Sequence, residues 1–321
     1  MAALSLSKAT IISVGIACIL YGFSLFMFGF TLWVLLHHRA ANEINRVMVS
    51  VACILFLLST AHISALMRHV IEGLLDHASP EEWFLDESSA TFILKLVLYA
   101  LQTMTGDGVL IYRCYVVWQN RKMVVVVPIL LFLGFGGTSF TGFWAYAVHH
   151  PGPLGHILLV LSACFSLLNN VICTSLLAYR LYKLNSYLLP GPGPNSIRPS
   201  TRTRRSLIPM MFAIIDAGVL YSATLLTTLI CLFLYTNVLA IMLEITVPLI
   251  AITFYGVIIR VGMEKAASTG RPFLSSSEDR NTVDTMEEHG VLSTIMYLPE
   301  ALERGAGEKT DEGSIPESES S

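Results

Sequence analysis

Charge is what this sequence has least of. Only 13% of its 321 residues are Asp, Glu, Lys or Arg, about half the share of an ordinary soluble domain, which runs near 25%. With 54% hydrophobic residues and a mean hydropathy of +0.64, that scarcity is a membrane signature. The formal net charge of −3 gives no reason to expect a bulk acidic or basic partner, and nucleic acid is not one. Cysteine is sparse as well. All six (Cys18, Cys53, Cys114, Cys164, Cys173, Cys231) lie inside apolar runs, so they read as small buried hydrophobes and not as a disulfide framework.

Catalytic and metal motifs are missing too. No apolar run has His at i, i+4 or a Cys-x-x-Cys spacing. His62 and His69 share a helix face at i+7, but about 10 Å apart, too far for one zinc. His149, His150 and His156 crowd one loop, where they read as surface residues. The chain has no Gly-rich phosphate loop and no GxSxG. The last apolar run has no lysine that could carry a Schiff base. A hydrolase built on His62, Glu244 and Asp216 has no motif spacing behind it. No catalytic residue, metal or cofactor is therefore expected, and the protein reads as non-enzymatic.

What the sequence does have is seven apolar runs, each long enough to cross a bilayer core of about 30 Å as a helix of about 20 residues. They cover roughly residues 10–36, 47–70, 90–118, 123–148, 154–182, 207–235 and 238–261. Strands of a barrel would instead alternate over short stretches. The predicted fold is an all-α, polytopic seven-helix bundle over residues 1–265, followed by a Ser- and acid-rich tail, 266–321, whose composition predicts disorder. The run behind Lys8 exceeds a signal-peptide core and is read as a retained first span.

Orientation follows from the basic residues of the short loops. Arg39 and Arg46, then Arg121 and Lys122, then Arg180, Lys183, Arg198, Arg202, Arg204 and Arg205 fall in the first, third and fifth connections. The second, "EGLLDHASPEEWFLDESS", has six acids and no Lys or Arg, and the fourth has neither base. This predicts an outside N-terminus and a cytoplasmic tail, with Lys8, Arg68 and Lys95 as exceptions at the outer ends. The 183–206 loop is Pro/Gly-rich and then basic, suited to an anionic inner leaflet or a cytoplasmic signalling partner.

Ionisable groups inside a bilayer are costly, so each is a functional candidate. At about 1.5 Å per residue, Asp107, Asp216 and the pair Asn169 and Asn170 all lie roughly 14–16 Å above the inner ends of their helices. They are predicted to form one polar layer that shares a proton, holds a cation or zips the helices together. Nearer the outside, His62 and Glu244 fall at one level, about 24 to 26 Å up, where they can pair. Arg113, six residues from Asp107, is turned by roughly 240° and cannot share its face. With Tyr112, Tyr115 and Trp118 it marks the cytoplasmic boundary, an aromatic belt followed by inside charges.

Asp107, Tyr112, Arg113, Tyr115, Val117 and Trp118, the "VVPILL" at Val126 to Leu131 and the "GVIIRVGMEKA" at Gly256 to Ala266 resemble the multi-pass membrane proteins expanded in mushroom-forming fungi (Basidiomycota), most of them without an assigned function. The resemblance covers the membrane domain. The layout also looks like a G-protein-coupled receptor, with Tyr112-Arg113-Cys114 where rhodopsin-like receptors carry Asp-Arg-Tyr. This chain departs from that pattern in having Tyr112 for the acid, no NPxxY in the seventh run and no Trp-x-Pro in the sixth. The resemblance implies a receptor-like membrane protein, in the plasma membrane more readily than an internal one, that senses a small ligand or the state of its membrane. The alternative is a transporter or channel using Asp107, Asn169, Asn170 and Asp216.

Overall fold

The computed structural model describes residues 6–36, 46–76, 80–85, 89–119, 121–149, 153–187, 201–234, 236 and 238–268. The predicted disordered tail lies outside them beyond Ser268, as does the 188–200 part of the fifth connection. Every described element is helical. Seven long helices are α1 (Leu6–Leu36), α2 (Arg46–Ile71), α4 (Ala90–Val117), α5 (Lys122–His149), α6 (Pro153–Tyr187), α7 (Thr201–Phe233) and α8 (Val238–Ser268). A π-helical turn, Glu72–Asp76, and the short helix α3 (Pro80–Leu85) lie between α2 and α4.

The helices begin and end where local chemistry directs. Ser89 caps α4, its side chain accepting from Phe92 N at 3.3 Å, which satisfies one of the donors a helix start leaves open. The other end of α4 closes at Gln119, whose φ of 54° is the left-handed conformation that stops a helix. Two helices run further than the apolar runs alone indicate. α6 reaches Tyr187, and α7 starts at Thr201, so Arg202, Arg204 and Arg205 are helical residues. Arginine is a good helix former once the Pro/Gly segment is past.

Packing follows chain order around a closed ring: α1 against α2, α2 against α4, then α5, α6, α7 and α8, with α8 back against α1. α4 departs from the rim and also touches α6 and α8. Its buried residues include Lys95, Gln102, Thr103 and Asp107, one helical stripe. Gln102 Nε2 donates to Ser59 Oγ on α2 (3.1 Å) and to Val247 O on α8 (3.3 Å), tying three helices together. α4 also lies close to α8, since a Cβ at Gly106 would come within 2.9 Å of Ile250 Cγ2.

The outer surface is a belt of exposed apolar side chains, among them Ile19, Phe26, Leu57, Leu130, Leu133 and Val219. So much contiguous apolar surface suits hydrocarbon and not water. Six helices, all the long ones but α4, are long and apolar enough to cross a bilayer. The protein is a multi-pass, all-helical membrane protein. α4 falls short of that apolarity because its polar stripe faces its neighbours.

Candidate functional site

Asp107 is fully buried. Its Oδ2 accepts from Ser166 Oγ on α6 at 3.0 Å and its Oδ1 from Tyr221 OH on α7 at 3.4 Å, while those two hydroxyls lie 3.4 Å apart. No basic side chain pairs with it among the described residues. Asn169 lies close to the same carboxyl, although its Nδ2 has no hydrogen bond of ordinary geometry among the described residues. Three elements thus meet here, α4 with α6 and α7.

The predicted layer assembles only in part. Asn170, one residue on and about 100° round the helix, turns to α7 instead. Its Nδ2 donates to Ser222 Oγ (2.8 Å) and Gly218 O (3.2 Å), and its Oδ1 accepts from Thr174 Oγ1 at 3.4 Å. This is interhelical glue, as side-chain amides commonly provide in membranes. Asp216 is outside the layer. It is exposed, with its Oδ2 3.2 Å from Arg260 Nη2 on α8. Counting depth along the chain ignored direction: α7 points Ile214, Gly218, Tyr221 and Leu225 inward, at i, i+4, i+7 and i+11, and Asp216 lies off that stripe. Tyr221 occupies the place expected of Asp216. It and Ser166 were missed, although Ser162, Ser166, Asn169 and Cys173, all buried, form a polar helical stripe legible in α6.

At the other level His62 and Glu244 meet, Nε2 to Oε2 at 3.0 Å, with a third partner that sequence reading treated as a topological exception. Lys95 Nζ lies 2.9 Å from Glu244 Oε1. All three side chains are buried. The imidazole contact lacks hydrogen-bond geometry, and among the described residues His62 Nδ1 has no hydrogen-bond partner. Beside it, a cavity of about 10 Å³ bounded by Tyr21, Ser59, Glu244 and Pro248 is at the lower limit for one water molecule. The signal for Lys95 was available: an ammonium more than one turn inside an apolar run needs a counter-ion.

On the other side of Glu244 the helices part around a cavity of about 280 Å³. It lies at the end of the bundle where α4 and α6 begin. Aromatic rings make much of its wall, Phe92 and Tyr99 from α4, Phe135 and Phe143 from α5, and Phe84 from α3. Phe84 is held there because α3 folds back over the π-helical turn, with Trp83 Nε1 donating to His69 O at 3.3 Å. Lys95 and Glu244 supply the charge, and Ser166, the partner of Asp107, also lines the cavity. One connected space thus touches both polar clusters.

The boundary residues gather at the opposite end. The Arg113 guanidinium lies over the Phe254 ring, 5.1 Å from its centroid, and Tyr112 is exposed. Tyr115 packs on a core of Cys114, Val117, Cys173 and Leu177. Trp118 stacks on Tyr179, carries the Arg180 guanidinium 5.4 Å above its ring and donates to Leu176 O at 3.3 Å. Among the described residues no group of three or more His, Cys, Asp or Glu could hold a metal ion. All six cysteines are free.

In comparisons with known proteins the chain matches no family model, no curated protein and no solved structure, so the site is read from its own geometry.

Proposed function

We propose that this is a seven-helix, receptor-like membrane protein that takes a small ligand into the cavity beside Lys95 and Glu244. The carrying observation is that cavity itself: about 280 Å³, aromatic-walled, with one buried ion pair at its side. Ligand sites are concave and mostly apolar, with a few polar groups that fix orientation. In this reading α4 also crosses, as the third of seven spans, the N-terminus and the cavity are outside, and the basic ends of α6 and α7 with the 188–200 connection between them and the tail face a cytoplasmic partner. Basic residues cluster at that end and acids around α3, which supports the orientation. The resemblance to fungal multi-pass proteins, the plasma membrane and a non-enzymatic role belong to the same proposal.

The test is a fluorescent label at Phe212→Cys, an exposed position on the inner half of α7, monitored while small apolar metabolites are added to the purified protein. A ligand that alters the label in the parent but not in Ala163→Trp, which fills the cavity wall, is the expected result. Ligands that bind without ever moving α7 would leave a binding protein and remove the receptor.

A second reading rests on Asp107. A buried carboxyl without a basic partner among the described residues, joined through Ser166 to the cavity, suits a proton or cation site of a transporter. Flux into proteoliposomes that disappears in Asp107→Asn would favour it over a receptor.

A further inference from the structure

The ion pair restricts what the cavity can accept. Lys95 carries three N–H donors, and among the described residues Glu244 is its one hydrogen-bond partner, at 2.9 Å. Its ammonium also lies 5.8 Å from the Phe92 ring centroid, a weaker, non-directional contact. Two donors of a buried cation are therefore open beside an aromatic-walled space. A ligand acceptor placed there gains a charge-assisted hydrogen bond, stronger than one between neutral groups.

The ligand's own charge is limited by the groups around it. Lys95 and Glu244 cancel. The remaining titratable groups in the cavity wall or against the pair come from several helices, and two of them are already engaged. His69 of α2 meets Thr91 Oγ1 at 2.9 Å and His156 of α6 meets Leu232 O at 3.2 Å. His62 of α2 faces the far oxygen of Glu244. The Tyr99 and Tyr146 phenols line the wall, and Asp107 stands behind Ser166. An anionic ligand on the open donors would set a second negative charge beside Glu244, with the single charge of Lys95 to offset both. A cationic one would add a second positive charge beside Lys95. Either leaves an uncompensated charge in low dielectric, which costs more than one hydrogen bond returns.

We propose that the cavity selects a neutral, largely apolar small molecule with one hydrogen-bond-accepting oxygen, of the ketone, ester or alcohol class, bound with that oxygen on Lys95. This rests on the cavity being the ligand site. Its volume, about 280 Å³ and just below the range of about 300–1,000 Å³ usual for ligand pockets, suits a compact body such as a single substituted ring.

Three probes of one skeleton separate the possibilities: acetophenone (neutral), benzoate (anionic) and benzylamine (cationic). Each is titrated against the full-length protein in lipid nanodiscs, with saturation-transfer NMR as readout. Acetophenone is expected to bind at least about tenfold more tightly than either charged probe. Its affinity should fall about tenfold when Lys95→Met is combined with Glu244→Gln, which removes donor and counter-ion together, and vanish in Ala163→Trp. Lys95→Gln with Glu244→Gln, which keeps a donor, should recover part of the loss and serves if the first pair fails to fold. Benzoate or benzylamine binding as tightly as acetophenone, but not to Ala163→Trp, would overturn the neutral class while leaving the cavity a ligand site. Binding indifferent to Ala163→Trp, or no binding by any probe, would remove the cavity reading and this inference with it.

Discussion

Lys95 is 9% exposed and Glu244 7%, so each depends on the other. Breaking a buried pair from one side leaves a bare charge and costs about 3–5 kcal/mol, whereas removing both partners is nearly neutral. Glu244→Ala should accordingly lower the thermal unfolding midpoint in detergent sharply, and Lys95→Met with Glu244→Gln only slightly. Equal losses from the two would mean that the pair is not a unit. His62, Glu244 and Asp107 were legible in the sequence because an ionisable side chain in an apolar run has few innocent explanations. Tyr221 was not, because a hydroxyl is ordinary in such a run, and Ser166 shows only through the stripe it shares with Ser162, Asn169 and Cys173. Asp216 misled because its depth matched that of Asp107, while its direction, toward Arg260 at 3.2 Å, depends on the neighbouring helix.

Helices α6 and α7 show what the apolar pattern does not contain. Their approach is set by one absent side chain, since a Cβ at Gly218 would come within 2.5 Å of Thr174 Cγ2 and 2.6 Å of its Oγ1, far inside van der Waals contact. Gly218→Val should force the two helices apart and destabilise the protein by about 1–3 kcal/mol, the usual cost of overpacking. Thr174→Ala in the same chain should recover part of that loss, as measured by thermal unfolding. Failure of the second change to rescue the first would show that the two helices do not meet there. The nearby Asn170 is worth less. Its bonds to Ser222 and Gly218 are of a type averaging about 0.6 kcal/mol in membrane proteins, so Asn170→Leu should be mild. The existence and approximate limits of these helices were legible from apolar length, which the bilayer imposes. Their ends, notably Thr201 of α7 and Tyr187 of α6, were not, because polar residues continue a helix past the hydrocarbon at little cost.

At the scale of the whole molecule, α4 carries the main consequence. Six long helices face outward and are apolar enough to span. α4 touches α2, α5, α6 and α8, so it hides Lys95, Gln102 and Asp107 from any lipid and can be polar where the others cannot. That arrangement joins the fold to the site, because the polar face that makes α4 the least lipid-like helix also supplies both clusters at the cavity. If α4 crosses the bilayer, the number of crossings is odd and the chain ends lie on opposite sides; if it does not, the number is even and they lie together. Protease protection of N- and C-terminal epitope tags in sealed membrane vesicles distinguishes the two in one experiment. One tag should be cleaved in intact vesicles and the other only after detergent is added. Both tags cleaved, or both protected, would contradict seven crossings and with them the placement of the Lys95–Glu244 cavity inside a membrane bundle.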